Sequence, residues 1–219
     1  IMQGRLLSPI DGRVQGFPVT DWRLEFPRAR QAGLHCIEWI LEEAGQEQNP
    51  LASDAGIEEI KNISKINNIH VLSVCADYYM TQRIISSDGC INENAAGHFR
   101  WLVEQVKKLN ARYVILPFVD SSSLPSPAER EGLLAFLEQS LPFLEEMNVE
   151  VHLETDFPPT VFKVMLDRLD HPLIRVNYDI GNSAALGYDS EEELSALAPR
   201  LGSVHVKDRV RGGSTVPLG

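Results

Sequence analysis

From residue 35 onward, short apolar runs rich in β-branched residues alternate with longer amphipathic segments. The short runs are His35–Trp39, Ile69–Ala76, Arg112–Phe118, Val149–Glu154, Ile174–Asp179 and Ser203–Val206, each too brief for a typical helix and read here as strands. Between them, Asp54–Asn67, Asn92–Asn110, Ala128–Met147, Pro158–Leu169 and Ser190–Leu197 carry apolar residues at helical spacing, as in Phe99, Leu102, Val103, Val106 and Leu109. Terminal signals agree with this placement. Asp54 and Ser190 read as N-caps, Ser126 before Pro127 sets a helix that starts on proline, and Asn110 ends its helix. Such alternation marks repeated βα units and a parallel sheet.

Read backwards, Asp21–Ala32 is a further helix, which makes Ile1–Arg5 the end of an earlier strand and gives seven strands. A closed (β/α) barrel wants eight, usually in about 250 residues. The expectation is one domain over residues 1–219, an α/β fold of the (β/α)8 TIM-barrel class that lacks its last helix, strand and helix at the C-terminus. The rival is an open doubly wound sheet, which normally shows a Gly-rich phosphate loop after an early strand. Neither G-x-G-x-x-G nor a Walker pattern occurs.

Barrels of this kind place their chemistry at the C-terminal ends of strands. Three such ends stand out: His152-Leu153-Glu154-Thr155, Asn177-Tyr178-Asp179-Ile180-Gly181-Asn182 and Val204-His205-Val206-Lys207-Asp208. Glu154, Asp179 and His205 are separated by 25 and 26 residues, about one βα repeat each, so they are expected at equivalent heights on adjacent strands. Two carboxylates and an imidazole converging there suit one divalent ion, with coordination left for substrate or water. Carboxylates among apolar strands with no cation are costly to bury, and a metal removes that difficulty.

Charge and composition narrow the function. A formal net charge of −11 argues against a nucleic-acid interface, which needs Lys and Arg on phosphates. No apolar run approaches the roughly 20 residues of a membrane span and no signal peptide is evident, so a cytoplasmic location without membrane contact is expected. Cys36, Cys75 and Cys90 are an odd number at wide spacing, which reads as reduced thiols and not as a disulfide framework or zinc knuckle.

Met2-Gln3-Gly4-Arg5-Leu6 with Ser8-Pro9, Gly33-Leu34-His35-Cys36-Ile37-Glu38-Trp39, Tyr178-Asp179-Ile180-Gly181-Asn182 and His205-Val206-Lys207-Asp208 together resemble the xylose-isomerase-like barrels, which include sugar phosphate isomerases and epimerases. The resemblance covers nearly the whole chain, and the last two motifs are its specific ones. It implies that Glu154, Asp179 and His205 ligate one divalent metal (Mn, Zn, Co or Mg), with a fourth ligand, a Glu on the eighth strand, absent from these residues. It also implies a small-molecule sugar or sugar phosphate as substrate. In such a site the carbon next to a metal-bound carbonyl is acidified, and a carboxylate, here Glu154, removes its proton to give an enediolate. Return of the proton to the same carbon from the opposite face epimerises; return to the neighbouring carbon isomerises. The same scaffold also hosts sugar dehydratases and an endonuclease for abasic DNA, although the latter needs more histidines and a basic face. A non-catalytic barrel that binds a sugar or a partner protein is the alternative from another class, and a homo-oligomer is compatible with all of these.

Substrate contacts are expected from five further residues. Arg211 lies six residues past His205, where related epimerases carry a substrate-binding arginine. Lys207 alternates with His205 and should share its face. Asn182 stands where several epimerases have a histidine, and an amide can bond a hydroxyl but not shuttle a proton. Glu38 is expected to face inward from its strand, and Arg5 either holds an anionic group or forms an ion pair across the rim. His152 reads as a hydrogen-bonded core histidine one layer below Glu154, Trp22, Trp39 and Trp101 as packing residues, and Glu191-Glu192-Glu193 as the first turn of a helix.

Overall fold

The computed structural model describes residues 1–9 and 15–218. The apolar runs become six parallel strands in the order β1 to β6: β1 Cys36–Ile40, β2 His70–Cys75, β3 Tyr113–Phe118, β4 Glu150–Thr155, β5 Ile174–Asp179 and β6 Leu201–His205. β3 is apolar nearly throughout because both of its faces are covered, and β4 alternates apolar with polar residues; Val114, Ile115, Leu116, Val151 and Leu153 are wholly buried. The sheet curls into a half-barrel, so that side chains of its first and last strands meet: Glu38 of β1 touches His205 of β6.

Eight helices separate the strands among the described residues: α1 Trp22–Gln31, α2 Asp54–Asn67, α3 Tyr78–Thr81, α4 Glu93–Leu109, α5 Pro127–Met147, α6 Pro159–Leu169, α7 Ile180–Leu186 and α8 Ser190–Leu197. Their apolar stripes form the outer part of the core. Phe99 of α4 meets Phe136 of α5 edge to face at 5.2 Å, and Trp22 of α1 meets Trp39 of β1 at 5.4 Å. None of the described helices is long and apolar enough to cross a membrane.

Helix ends follow local chemistry. At α5 the Ser126 hydroxyl accepts from the Glu129 amide at 3.2 Å while the Glu129 carboxylate accepts from the Ser126 amide at 2.9 Å, a reciprocal cap ahead of Pro127. Asn68, Asn110 and Asn148 end α2, α4 and α5 in the left-handed conformation, which asparagine tolerates better than most residues. Two N-caps lie one residue earlier than the sequence reading put them. Ser53, not Asp54, accepts from the Gly56 amide, and Asp189, not Ser190, accepts from the Glu192 amide.

Other departures are larger. Ile1–Arg5 is not a strand of its own: it holds one parallel bridge, Met2 to Glu38, flanked by Gln3 N–H to Glu38 O and Glu38 N–H to Ile1 O. β6 starts at Leu201, two residues before expectation, and ends at His205. The short helices α3 and α7 follow directly on β2 and β5 and have too few turns to show a period. A small antiparallel hairpin, β7 Asp208–Arg209 with β8 Thr215–Val216, follows β6.

Candidate functional site

Glu154 near the end of β4, Asp179 at the end of β5 and His205 at the end of β6 are brought together, with one potential ligand atom from each lying within 4.8 Å of the others. Register explains why. Val176 pairs with Leu201, but Asn177 pairs with Ser203, so Gly202 is an extra residue in β6 that has no partner. That bulge moves the rest of β6 back by one position and sets His205 directly opposite Asp179. A second irregularity adjusts β1 against β2: Ile37 pairs with Val71 and Glu38 with Ser73, which brings Glu38 level with a hydroxyl that donates to it at 2.7 Å.

The imidazole of His205 stands between carboxylates. Its Nδ1 lies 3.2 Å from Glu154 Oε2 and 3.7 Å from Asp179 Oδ2, and its Nε2 lies 2.7 Å from Glu38 Oε1. Burial alone would lower its pKa, but the bonds to Asp179, Glu154 and Glu38 outweigh that and raise it to about 12. A positive charge on the ring is thus favoured by its three carboxylate neighbours. Lys207 adds a second positive charge, its Nζ 2.8 Å from Asp179 Oδ2. Burial acts to raise the Asp179 pKa, yet His205 and Lys207 together hold it below the ordinary carboxylate value. The site thus gathers three carboxylates and two cationic side chains.

Amides fix the carboxylates. Asn182 donates from Nδ2 to Glu154 Oε1 at 2.6 Å, and its backbone N–H donates to Asp179 Oδ1 at 2.9 Å, which makes Asp179 both the end of β5 and the cap of α7. Asn177, which the sequence reading passed over, donates to Glu154 Oε2 at 3.0 Å, and its Nδ2 is 3.0 Å from His205 Nδ1. It stands two residues before Asp179 on the same strand face, so period-two spacing was the signal that could have found it. Ser203 in turn donates to Asn177 Oδ1 at 2.7 Å.

Of the five expected substrate contacts, three lie at this cluster: Glu38, Asn182 and Lys207. Arg5 is exposed and donates to Gln15. Arg211 is exposed with its guanidinium packed over Gly187, past the far end of α7. The arginine at the cluster is Arg209 of β7, whose Nη1 donates to Asn182 Oδ1 at 2.7 Å and whose Nη2 is 3.8 Å from Asp120. His152 is buried one layer below, 2.8 Å from Ser203 Oγ and 3.1 Å from Glu150, and stacked on Tyr113 at 3.9 Å. Asp77, just beyond β2, is a further, half-buried carboxyl nearby. Burial, with a contribution from the charge of Glu154, raises its pKa to about 6 despite bonds from Gln15 and Cys75.

The donor set fits a divalent ion. Two buried carboxylates and one imidazole nitrogen offer ligand atoms within 4.8 Å of one another, and the Lys207 ammonium beside Asp179 supplies positive charge that an ion would otherwise bring.

Comparison with known proteins extends this description. The family model for the xylose isomerase-like TIM barrel matches residues 26–219. No curated protein matches the sequence. Among solved structures, a xylose isomerase domain protein from Planctomyces limnophilus superposes with a TM-score of 0.70 at 16% identity, covering 90% of this chain and 74% of that one. The IolI protein, solved with a bound zinc atom, gives 0.67 at 14% identity over 87% and 68% of the two chains. D-psicose 3-epimerase from Clostridium cellulolyticum H10, solved with D-tagatose, gives 0.64 at 15% over 85% and 67%. At such identities the likeness is one of fold.

Proposed function

Because the chain belongs to the xylose isomerase-like TIM-barrel family, we propose that it is a metal-dependent isomerase or epimerase acting on a monosaccharide or sugar phosphate. The observation that carries the reading is the convergence of Glu154, Asp179 and His205 within 4.8 Å at adjacent strand ends. A zinc-bound protein and a sugar epimerase among the structures of similar fold support it.

Glu154, Asp179 and Nδ1 of His205 would hold the ion. When bound, a divalent ion supplies Lewis acidity that polarises a sugar carbonyl and acidifies the neighbouring C–H. Glu154 then acts as the base. Asn177 and Asn182 clamp its two oxygens, so the carboxylate meets the substrate in one orientation instead of several. The carboxylate takes the proton from the carbon next to the carbonyl and returns it, and the face or carbon of return decides between epimer and isomer. Lys207 and Arg209 are the cations placed to bond substrate hydroxyls or a phosphate, and their engagement by Asp179 and Asn182 keeps them oriented before substrate arrives.

Incubation with a panel of ketoses and ketose phosphates in deuterium oxide, with added Mn or Zn, tests the proposal by NMR. Deuterium is expected at the carbon next to the carbonyl, and Glu154→Gln is expected to abolish its incorporation. Absence of exchange across the panel by the metal-loaded protein would overturn the reaction class. Product carrying a new double bond with loss of water would point to a dehydratase on the same scaffold.

A further inference from the structure

The two nitrogens of His205 face different partners. Nδ1 looks toward Glu154 and Asp179, whereas Nε2 lies 2.7 Å from Glu38 Oε1. An imidazole that gives one nitrogen to a metal must carry its hydrogen on the other, and a ring whose distal N–H has no fixed acceptor samples orientations that present no lone pair to the ion. Glu38 is built to be that acceptor. Its other oxygen takes the Ser73 hydroxyl at 2.7 Å, its side chain is only 13% exposed, and its backbone is tied on both sides to the Ile1–Gln3 segment. Both carboxylate oxygens are therefore committed, which leaves a poor substrate contact and a good support.

We propose that Glu38 is the positioning residue of the metal centre, holding the Nε2 hydrogen of His205 and so presenting an unprotonated Nδ1 to the ion. The inference rests on the metal-centre reading above and adds an opposite-edge residue to it: the carboxylate that orients a ligand of the last strand comes from the first strand of the sheet. Glu38 belongs to neither the ligand set nor the substrate contacts in this assignment.

The test uses zinc, which is diamagnetic, with wild-type protein, Glu38→Ala and Glu38→Gln. Zinc affinity is measured by chelator competition, and the tautomer of the His205 ring by long-range nitrogen–proton NMR. The wild-type ring should carry its hydrogen on Nε2 and bind zinc through Nδ1. Glu38→Ala should bind zinc about 10- to 100-fold more weakly, while Glu38→Gln, whose amide oxygen can accept the same bond, should recover most of the loss. Thermal melts without metal show whether each variant folds; if Glu38→Ala does not, the ring tautomer in wild type and Glu38→Gln decides alone. Zinc affinity of a folded Glu38→Ala within about threefold of wild type, or zinc on Nε2 in the wild type, overturns the proposal. Failure of the wild type itself to bind zinc, Mn or Co overturns the metal-centre reading, a result that is distinct because it appears before any substitution.

Discussion

Lys207 Nζ lies 2.8 Å from Asp179 Oδ2, an oxygen that belongs to a side chain only 2% exposed. The same oxygen is among those that face the common point of the proposed metal centre, so an ammonium and an ion would share one carboxylate. Two cations within a few ångströms repel, and at a partly buried site the effect reaches kcal/mol scale. Lys207→Met should therefore bind zinc or Mn more tightly than wild type, by about tenfold, while losing turnover because the cation proposed to bond the substrate is gone. Isothermal titration of the metal against both proteins checks this. Weaker binding by the methionine variant would show that Lys207 supports the carboxylate geometry more than it competes.

Glu25 on α1 is wholly buried and accepts the Gly4 N–H at 2.7 Å. Burial raises its pKa from 4.5 to about 7, against the opposing bonds from Gly4, Leu6 and Gln3 and the charge of Arg28. A carboxyl whose pKa is higher in the folded state binds more protons there. Its contribution is fully present below pH 4.5 and is lost as pH rises through about 7. Wild-type protein should thus lose up to about 3 kcal/mol between pH 5 and pH 8 from this group, and Glu25→Gln, which keeps the acceptor without the charge, should show a flatter profile. Denaturant melts at both pH values measure the difference; parallel profiles would refute it.

Gly202 is the unpaired residue of the β6 bulge. A Cβ there would lie 2.6 Å from Cε1 of His152 and 2.7 Å from Cβ of Arg175. The His152 ring is held by Tyr113, Ser203 and Glu150 and has no room to yield. Gly202→Ala should cost about 1–3 kcal/mol and weaken metal binding as well, because the clash acts on the strand that carries His205. An alanine variant with wild-type stability and metal affinity would mean that the bulge is soft.

Glu193 was read as one of three equivalent acidic residues in the first turn of α8. In the structure Glu191 and Glu192 are exposed, but Glu193 is 4% exposed and accepts hydrogen bonds from Tyr178 Oη at 2.9 Å and Ser183 Oγ at 2.7 Å. Burial, then the bond to Glu193, raises the Tyr178 pKa to about 12. Removing the shared acceptor strands two donors, so Glu193→Ala should destabilise by about 2–4 kcal/mol, whereas Glu191→Ala and Glu192→Ala should stay within about 0.5 kcal/mol. Equal effects in the three variants would contradict the buried role.

The sequence by itself determined the βα alternation, because strand and helix periods are local properties of the chain and each apolar run had to be covered. It also singled out Glu154, Asp179 and His205, since a repeat of 25 and 26 residues returns the chain to the same rim. Cap positions were legible to within one residue: Ser53 and Asp189 compete with their neighbours Asp54 and Ser190 for one role, and composition does not decide between adjacent polar residues. The place of Glu38 and of the two arginines was another matter. Arg211 matched by spacing, yet Arg209 is the arginine at the cluster, because the β7–β8 hairpin sets which arginine faces inward and its pairing is not a local property. Glu38 and His205, 167 residues apart, meet only because the sheet curls and because one irregularity in each edge pairing shifts the register by a residue. A bulge leaves no periodic trace in a five-residue strand, and curl is the sum of twists over the whole sheet, so both were decided only when the strands packed against one another.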